Sequence, residues 1–304
     1  MNNLEKEMLA QIADLHEIPA GSYNIRKNGE TVKREASADV DIVSKTEKSG
    51  IDVKVKAGVK NRSVHIPVIV TESGIKDLTY NDFYIGDNAE ITIVAGCGVH
   101  TTGTEESGHN GIHTFYIGKN AKVKYIEKHL GMGTSAKKVL NPVTKIVMNS
   151  GSEFEMETIQ LGGVTYSNRV TNAKLKKDAK LLIKEKILTT EDQEAITKFK
   201  VELVGENSSV NVISRSVAKD QSKQKFVSKI IGKNNCFGHV ECDGIILDKA
   251  RIISIPEIDA ADVNASLVHE AAIGKIAGEQ MVKLMSLGLS ETEAEDLIIK
   301  GYLS

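Results

Sequence analysis

A seven-residue unit recurs through the middle of this chain and limits what it can fold into. Ile85-Gly-Asp-Asn-Ala-Glu-Ile returns as Ile117-Gly-Lys-Asn-Ala-Lys-Val, with weaker copies beginning at Met148, Leu175, Val204 and Ile231. Their first residues lie 32, 31, 27, 29 and 27 positions apart. Each copy is an apolar residue, a turn rich in Gly, Asn or Asp, and the start of another strand. From about Ile51 to Ile255 the segments between copies are short and alternating, as in Glu90-Ile-Thr-Ile-Val94 and Glu153-Phe-Glu-Met-Glu157. That two-residue period belongs to strands. Strand, turn and strand at near-constant spacing suit a chain that coils, each unit stacking on the last. The expected fold is mainly β, a parallel β-helix. A hexapeptide left-handed helix is excluded, because its period would be six. A β-sandwich is the plainer alternative.

The ends read differently. Residues 3 to 15 carry a short amphipathic helix pattern that Pro19 breaks. After Pro256 the composition turns to Ala, Leu, Met and Glu. Gly288 is placed as a helix stop, and Ser290-Glu-Thr-Glu293 as a capping box opening a last helix toward Lys300. The expected division is an N-terminal helical arm at 1–28, a β-helix core at 29–258 and a small C-terminal helical domain at 259–304.

Composition narrows the function. With 39 Lys+Arg against 41 Asp+Glu the net charge is -2, without the basic surplus of a nucleic-acid binder. No apolar run approaches the roughly 20 residues of a membrane helix, and the start lacks a signal-peptide core. A cytoplasmic protein is expected. The absence of Trp counts against a β-helix polysaccharide enzyme with aromatic sugar platforms. Three cysteines, Cys97, Cys236 and Cys242, are too few for a disulfide framework and read as free thiols or as small buried apolar groups.

Metal-ligand residue types gather in three places: Cys97 with His100, His109 and His113; Cys236, His239 and Cys242; and the pair His269-Glu270. None has the paired C-x₂₋₄-C spacing of a structural zinc site. A folded-back loop could still close Cys97, His100, His109 and His113 around zinc, so a zinc-dependent hydrolase is the alternative function. Strand alternation puts Cys236 and Cys242 on one face and His239 on the other, unless Gly238 introduces a bulge.

The segment from Cys236 to Leu303 carries a pattern of its own: Glu-Cys242-Asp, a strand with Pro256, His269-Glu270-Ala, Leu-Gly288-Leu, and a last helix closing on Gly301-Tyr302. Upstream, Ala-Gly-Cys97-Gly-Val-His precedes the His113 strand. Across roughly residues 55 to 303 this resembles the SufB/SufD scaffolds of the SUF iron–sulfur cluster assembly system. The resemblance implies a right-handed parallel β-helix and a helical domain that docks a SufC-type ATPase. It implies that Cys242, Glu270 and His269 build the nascent cluster, [4Fe–4S] or [2Fe–2S], and that Cys97 receives sulfur inside the β-helix. Implied partners are that ATPase, a cysteine desulfurase or other sulfur donor, and apo acceptor proteins, with a reduced flavin as one candidate electron source. Neither nucleic acid nor a membrane is expected as a partner.

The His100–His113 loop and Cys236 depart from the family pattern, and neither the N-terminal helical extension nor the further C-terminal segment of longer SufB chains is expected from this sequence. The chain therefore reads as a compact version that pairs with itself, a heterodimer with a SufD-like chain being the other arrangement. Met281, Leu284 and Met285 form the apolar face expected to meet the ATPase. Cys97 and Cys242 are about five repeats apart, on the order of 24 Å if each repeat is one rung.

Overall fold

A computed structural model describes residues 2–13, 21–133 and 137–304. Helix α1 (Asn3–Ala13) realises the N-terminal pattern; residues 14 and 15 of the expected helix and the break at Pro19 lie outside the described residues.

Two ten-stranded sheets face each other. In spatial order the first holds β2 (Glu30–Glu35), β1 (Ser22–Lys27), β5 (Arg62–Val70), β7 (Glu90–His100), β9 (Lys122–Met132), β12 (Glu153–Leu161), β14 (Lys180–Thr189), β16 (Ser208–Ala218), β18 (Cys236–Ile246) and β20 (Ala265–Gly274). The second runs β19 (Arg251–Ala260), β17 (Lys223–Gly232), β15 (Glu194–Leu203), β13 (Tyr166–Leu175), β10 (Lys138–Leu140) with β11 (Val143–Met148), β8 (Ser107–Ile117), β6 (Lys76–Ile85), β4 (Gly50–Val55) and β3 (Val40–Ser44). From β4 onward the chain alternates between the sheets, each strand parallel to the one a turn earlier. The result is a parallel β-solenoid of about eight turns.

The recurring unit is one corner of this coil. Its fourth residue adopts the left-handed backbone region in five copies: Asn88 (φ 57), Asn120 (φ 53), Gly151 (φ 69), Asp178 (φ 57) and Asn207 (φ 56). That region costs an ordinary L-residue roughly 1–2 kcal/mol, and Gly, Asn and Asp least. The freed amide then reaches the next turn, Asn120 N to Ser150 O at 3.1 Å and Asn207 N to Asn235 O at 2.7 Å. The fifth residue points inward and is small: Ala89, Ala121, Ser152, Ala179 and Ser208 are all fully buried. The sixth copy, at Ile231, departs, because neither Asn234 nor Asn235 has a positive φ. Asn207→Val should lower the unfolding free energy by about 1–2 kcal/mol while Asn207→Gly leaves it little changed, read from urea midpoints.

The two ends are built differently. At the start, antiparallel hairpins β1–β2 and β3–β4 close the coil. At the finish, β19 and β20 each pair on one side only. There residues of inward parity are open: Ile258 is 49% exposed and Ile273 37%. The sheets also run further than the composition shift indicated. β20 continues to Gly274 because its Ala-rich sequence pairs in register with β18, so helices begin only at α2 (Gly278–Ser286) and α3 (Glu291–Tyr302). Gly288 ends α2 at φ 97, and Ser290 with Glu293 forms the capping box of α3.

Candidate functional site

Parallel, in-register pairing turns inward positions into lines that run the length of the solenoid. Beside the Asn/Asp corner these lines are apolar, as with Ile91, Val123, Phe154, Leu181 and Val210. Four positions further along each strand they turn polar. One line reads Ala95, Glu127, Thr158, Glu185, Ser214, Cys242. Its neighbour begins Cys97, His129, Gln160. On the facing sheet, His113, Thr144 and Thr171 form a third. All of these are buried. The hydroxyls of Thr144, Thr158 and Thr171 are enclosed without a hydrogen-bond partner, an uncommon state for buried polar atoms.

Cys97 lies at one end of this interior, five strands from Cys242. It points inward from β7, while Gly96 and Gly98 face out under α1. A Cβ on Gly98 would sit 2.8 Å from Met8 Cε, and one on Gly96 would strike the Ile12 carbonyl. The Gly-Cys-Gly sequence therefore lets a helix lie directly on the strand that carries the thiol. Around Cys97 a cavity of about 10 Å³ is lined by His109, His113, Glu127 and His129. Arg26 pairs with Asp77 through Nε at 2.9 Å, and Asp77 Oδ2 in turn lies 2.9 Å from His109 Nδ1. Burial works to raise the Asp77 carboxyl, but the His109 and Arg26 hydrogen bonds outweigh it and hold it well below the usual range. Glu127, also buried, is kept ionised by Arg169 and His129.

The tautomers in this chamber follow from the partners. Tyr125 OH donates to the Glu127 carboxylate at 3.1 Å, so its oxygen accepts from His113 Nδ1 at 2.7 Å. His113 Nε2 then accepts from Asn81 Nδ2 at 3.3 Å. Arg169 Nη2 donates to His129 Nδ1 at 3.0 Å, which turns His129 Nε2–H toward Glu127. Burial lowers both imidazoles, His113 to about 4. Cys97 is pushed well up by burial, with the negative charges of Asp77 and Glu127 adding to it.

At the far end, Cys242 is buried and its thiol is pushed up to about 11 by burial, the Ser254 hydroxyl pulling the other way. Glu185, two turns further in, accepts from Thr197 at 3.0 Å and from Ser214 at 3.0 Å, and burial raises its carboxyl despite Arg169. His269 also has inward parity, one strand over and two residues along from Cys242. Its Nδ1 meets Ser228 Oγ at 3.1 Å while Nε2 is enclosed without a partner.

Glu270 is placed on the other side of the sheet, its side chain 67% exposed and 3.6 Å from His239. One chain thus brings Cys242 and His269 together but not Glu270. Cys236 shares the inward face with Cys242, as alternation predicts; β18 has no bulge at Gly238 and His239 faces out. Alternation also turns His100 away from Cys97. His109 and His113 do approach Cys97, yet each is committed to Asp77 or Tyr125. Among the described residues no three His, Cys, Asp or Glu side chains converge as a metal would need, so the alternative zinc site at Cys97, His100, His109 and His113 is not assembled.

In the helical region α3 packs Ile299 and Leu303 on Val217, and Lys219 Nζ reaches Glu295 at 2.6 Å. Met281 and Leu284 of α2 are half-buried, while Val282, Met285 and Leu287 are exposed. Among the described residues no helix is long and apolar enough to cross a membrane.

A parallel two-sheet solenoid with a charged interior, a thiol toward each end of it and an uncapped final turn defines a class of β-helix scaffold. Residues 77–302 match the family model described as SUF system FeS cluster assembly, SufBD core domain. The chain belongs to that family. An iron-sulfur cluster assembly SufBD family protein of Archaeoglobus fulgidus is 32% identical over 236 residues, covering 75% of this chain and 61% of the relative. One from Methanocaldococcus jannaschii is 28% identical over 291 residues, covering 93% and 90%. A Methanothermobacter thermautotrophicus relative is 28% identical over 242 residues, covering 78% and 58%. The chain thus spans about three fifths of the Archaeoglobus and Methanothermobacter proteins.

The neutral buried imidazoles set a pH dependence. An unfolded His113 takes a proton below about 6.5, while the folded one resists until about 4. The unfolded chain therefore binds more protons across that window, and stability falls as pH drops through it, by on the order of 3 kcal/mol for this group. His129 adds in the same sense. Urea midpoints between pH 7 and pH 5 should show the decline, and His113→Gln should flatten it.

Proposed function

We propose that this chain is a scaffold on which an iron–sulfur cluster is built and from which it is passed on, sulfur moving inside the solenoid from Cys97 to Cys242. The observation that supports this best is the buried polar line Glu127, Thr158, Glu185, Ser214, Cys242. An interior needed only for stability would be apolar, because hydrogen bonds at best offset the cost of burying polar groups, and an unpartnered one such as Thr158 costs roughly 1–3 kcal/mol. Partnerless hydroxyls along the way offer weak hydrogen bonds to a sulfur species in transit.

The cluster's protein ligands within one chain are Cys242 and His269; Glu270, on the outer face of the edge strand, would join them only across a junction with a second chain. One thiolate with an imidazole and a carboxylate holds iron less tightly than four thiolates, which suits a site that must release its product. The ligand set is completed by a second copy of this chain. Unpaired edges at β19 and β20 and the open apolar residues Ile258 and Ile273 invite such a partner. A twofold arrangement would bring two Cys242 and two His269 together. A SufC-type ATPase docks on α2 and α3, where Met285 is exposed beside half-buried Met281 and Leu284. Because α3 rests on Val217 of β16, next to β18, a pull on the helices is transmitted to the strand that carries Cys242.

Anaerobic reconstitution with iron and sulfide should give visible absorption that is lost in Cys242→Ala and kept in Cys236→Ala. A full cluster in Cys242→Ala would place the site elsewhere.

A further inference from the structure

The chamber at Cys97 holds three imidazoles, and the scaffold reading gives none of them a task. Two are spoken for: His113 Nε2 accepts from Asn81, and the His129 Nδ1 lone pair accepts from Arg169. His109 differs. Its Nδ1 lies against the Asp77 carboxylate, itself clamped by Arg26, so that in the neutral imidazole Nδ1 carries the proton and the lone pair falls on Nε2. That nitrogen points into the space vacated by Gly111: a Cβ there would lie 3.3 Å from His109 Nε2 and 2.8 Å from His113 Nε2. Gly111, His109 and Cys97 line the same cavity, whose volume of about 10 Å³ is room for one water.

We infer that His109 is the general base that activates Cys97 for sulfur transfer, with Asp77 and Arg26 as its positioning residues. The inference rests on the reading of Cys97 as the sulfur acceptor. A nucleophile, a base lining the same cavity and reaching it through one water, and a carboxylate behind the base form the arrangement that activates thiols and hydroxyls elsewhere. The need is physical: a thiol buried among Val68, Val70 and Val99, and near two carboxylates, ionises poorly unaided.

The donor is a persulfide carried on another thiol, R–S–SH. His109 Nε2 takes the Cys97 proton as the thiolate attacks the outer sulfur. The donor S–S bond breaks, its electron pair leaves on the donor thiolate, and the proton held by His109 passes to that thiolate. Cys97 is left as –S–SH and the donor as R–SH, so one sulfane sulfur has moved with no net oxidation. The charged and titratable groups packed around His109 are Asp77 on β6, Arg26 on β1, His113 on β8, Lys138 on β10, Glu127 and His129 on β9 and Arg169 on β13. Glu127 is a poor substitute base, because Tyr125 and Arg169 already occupy its oxygens.

The test uses the full-length chain with Cys236→Ser and Cys242→Ser, cysteine persulfide as donor, and intact mass to follow one added sulfur. His109→Gln should slow loading about 100-fold at neutral pH and recover as pH is raised, since hydroxide then replaces the base. A purely structural loss would not recover with pH. Should His109→Gln fail to fold, the parent protein decides alone. With a working base its loading rate stays nearly flat between about pH 7 and 9, whereas an unassisted buried thiol climbs roughly tenfold per unit. Loading of His109→Gln at the parent rate, or that steep climb in the parent, overturns the inference. Loading that persists in Cys97→Ser instead overturns the sulfur-acceptor reading beneath it.

Discussion

In-register parallel pairing is the constraint from which the rest of this molecule follows. Each inward side chain sits one strand, about 4.8 Å, from its equivalent in the next turn. A choice made at one position is therefore repeated or answered along a line through the whole coil. Apolar lines by the Asn/Asp corner supply the burial that holds the sheets together, while the polar lines opposite form continuous buried rows through the coil. The corner helps keep both lines in phase: in five of its six copies a left-handed turn residue followed by a small buried one brings the chain round without shifting the register.

That architecture was legible because the turn chemistry leaves a mark at fixed spacing. Ile85-Gly-Asp-Asn-Ala recurs for the same reason that Asn88, Asn120 and Asn207 have positive φ. The last turn was less legible. β20 reads ASLVHEAAIG, poor in β-branched residues, and its strand conformation comes from pairing with β18 rather than from local preference. The C-terminal helices were placed by their stop and cap, Gly288 and Ser290.

The interior charges were overlooked, although alternation marks them. In Lys122-Val-Lys-Tyr-Ile-Glu-Lys-His129 the inward parity set by Val123 and Tyr125 continues to Glu127 and His129. Glu185 stands between inward Ile183 and Ile187 in the same way. A charged residue in phase with an apolar line is the signal that finds such positions. What no pattern in a single strand could give was their meeting across the coil, where Arg169 of β13 joins Glu127 and His129 of β9. The same parity explains why adjacent His269 and Glu270 face opposite sides of their sheet, one toward the buried thiol and one toward whatever lies outside.

In the proposed function sulfur enters where α1 covers the Gly-Cys97-Gly strand and reaches the last turn, where Cys242 and His269 lie. The most direct test is to load labelled sulfane sulfur onto Cys97 of the Cys236→Ser protein, remove the donor, and follow the label by peptide mapping. Label should leave Cys97 and appear on Cys242 at a rate independent of protein concentration, and Cys242 should gain none in Cys97→Ser. Label that stays on Cys97, or that reaches Cys242 equally fast without Cys97, would contradict this route.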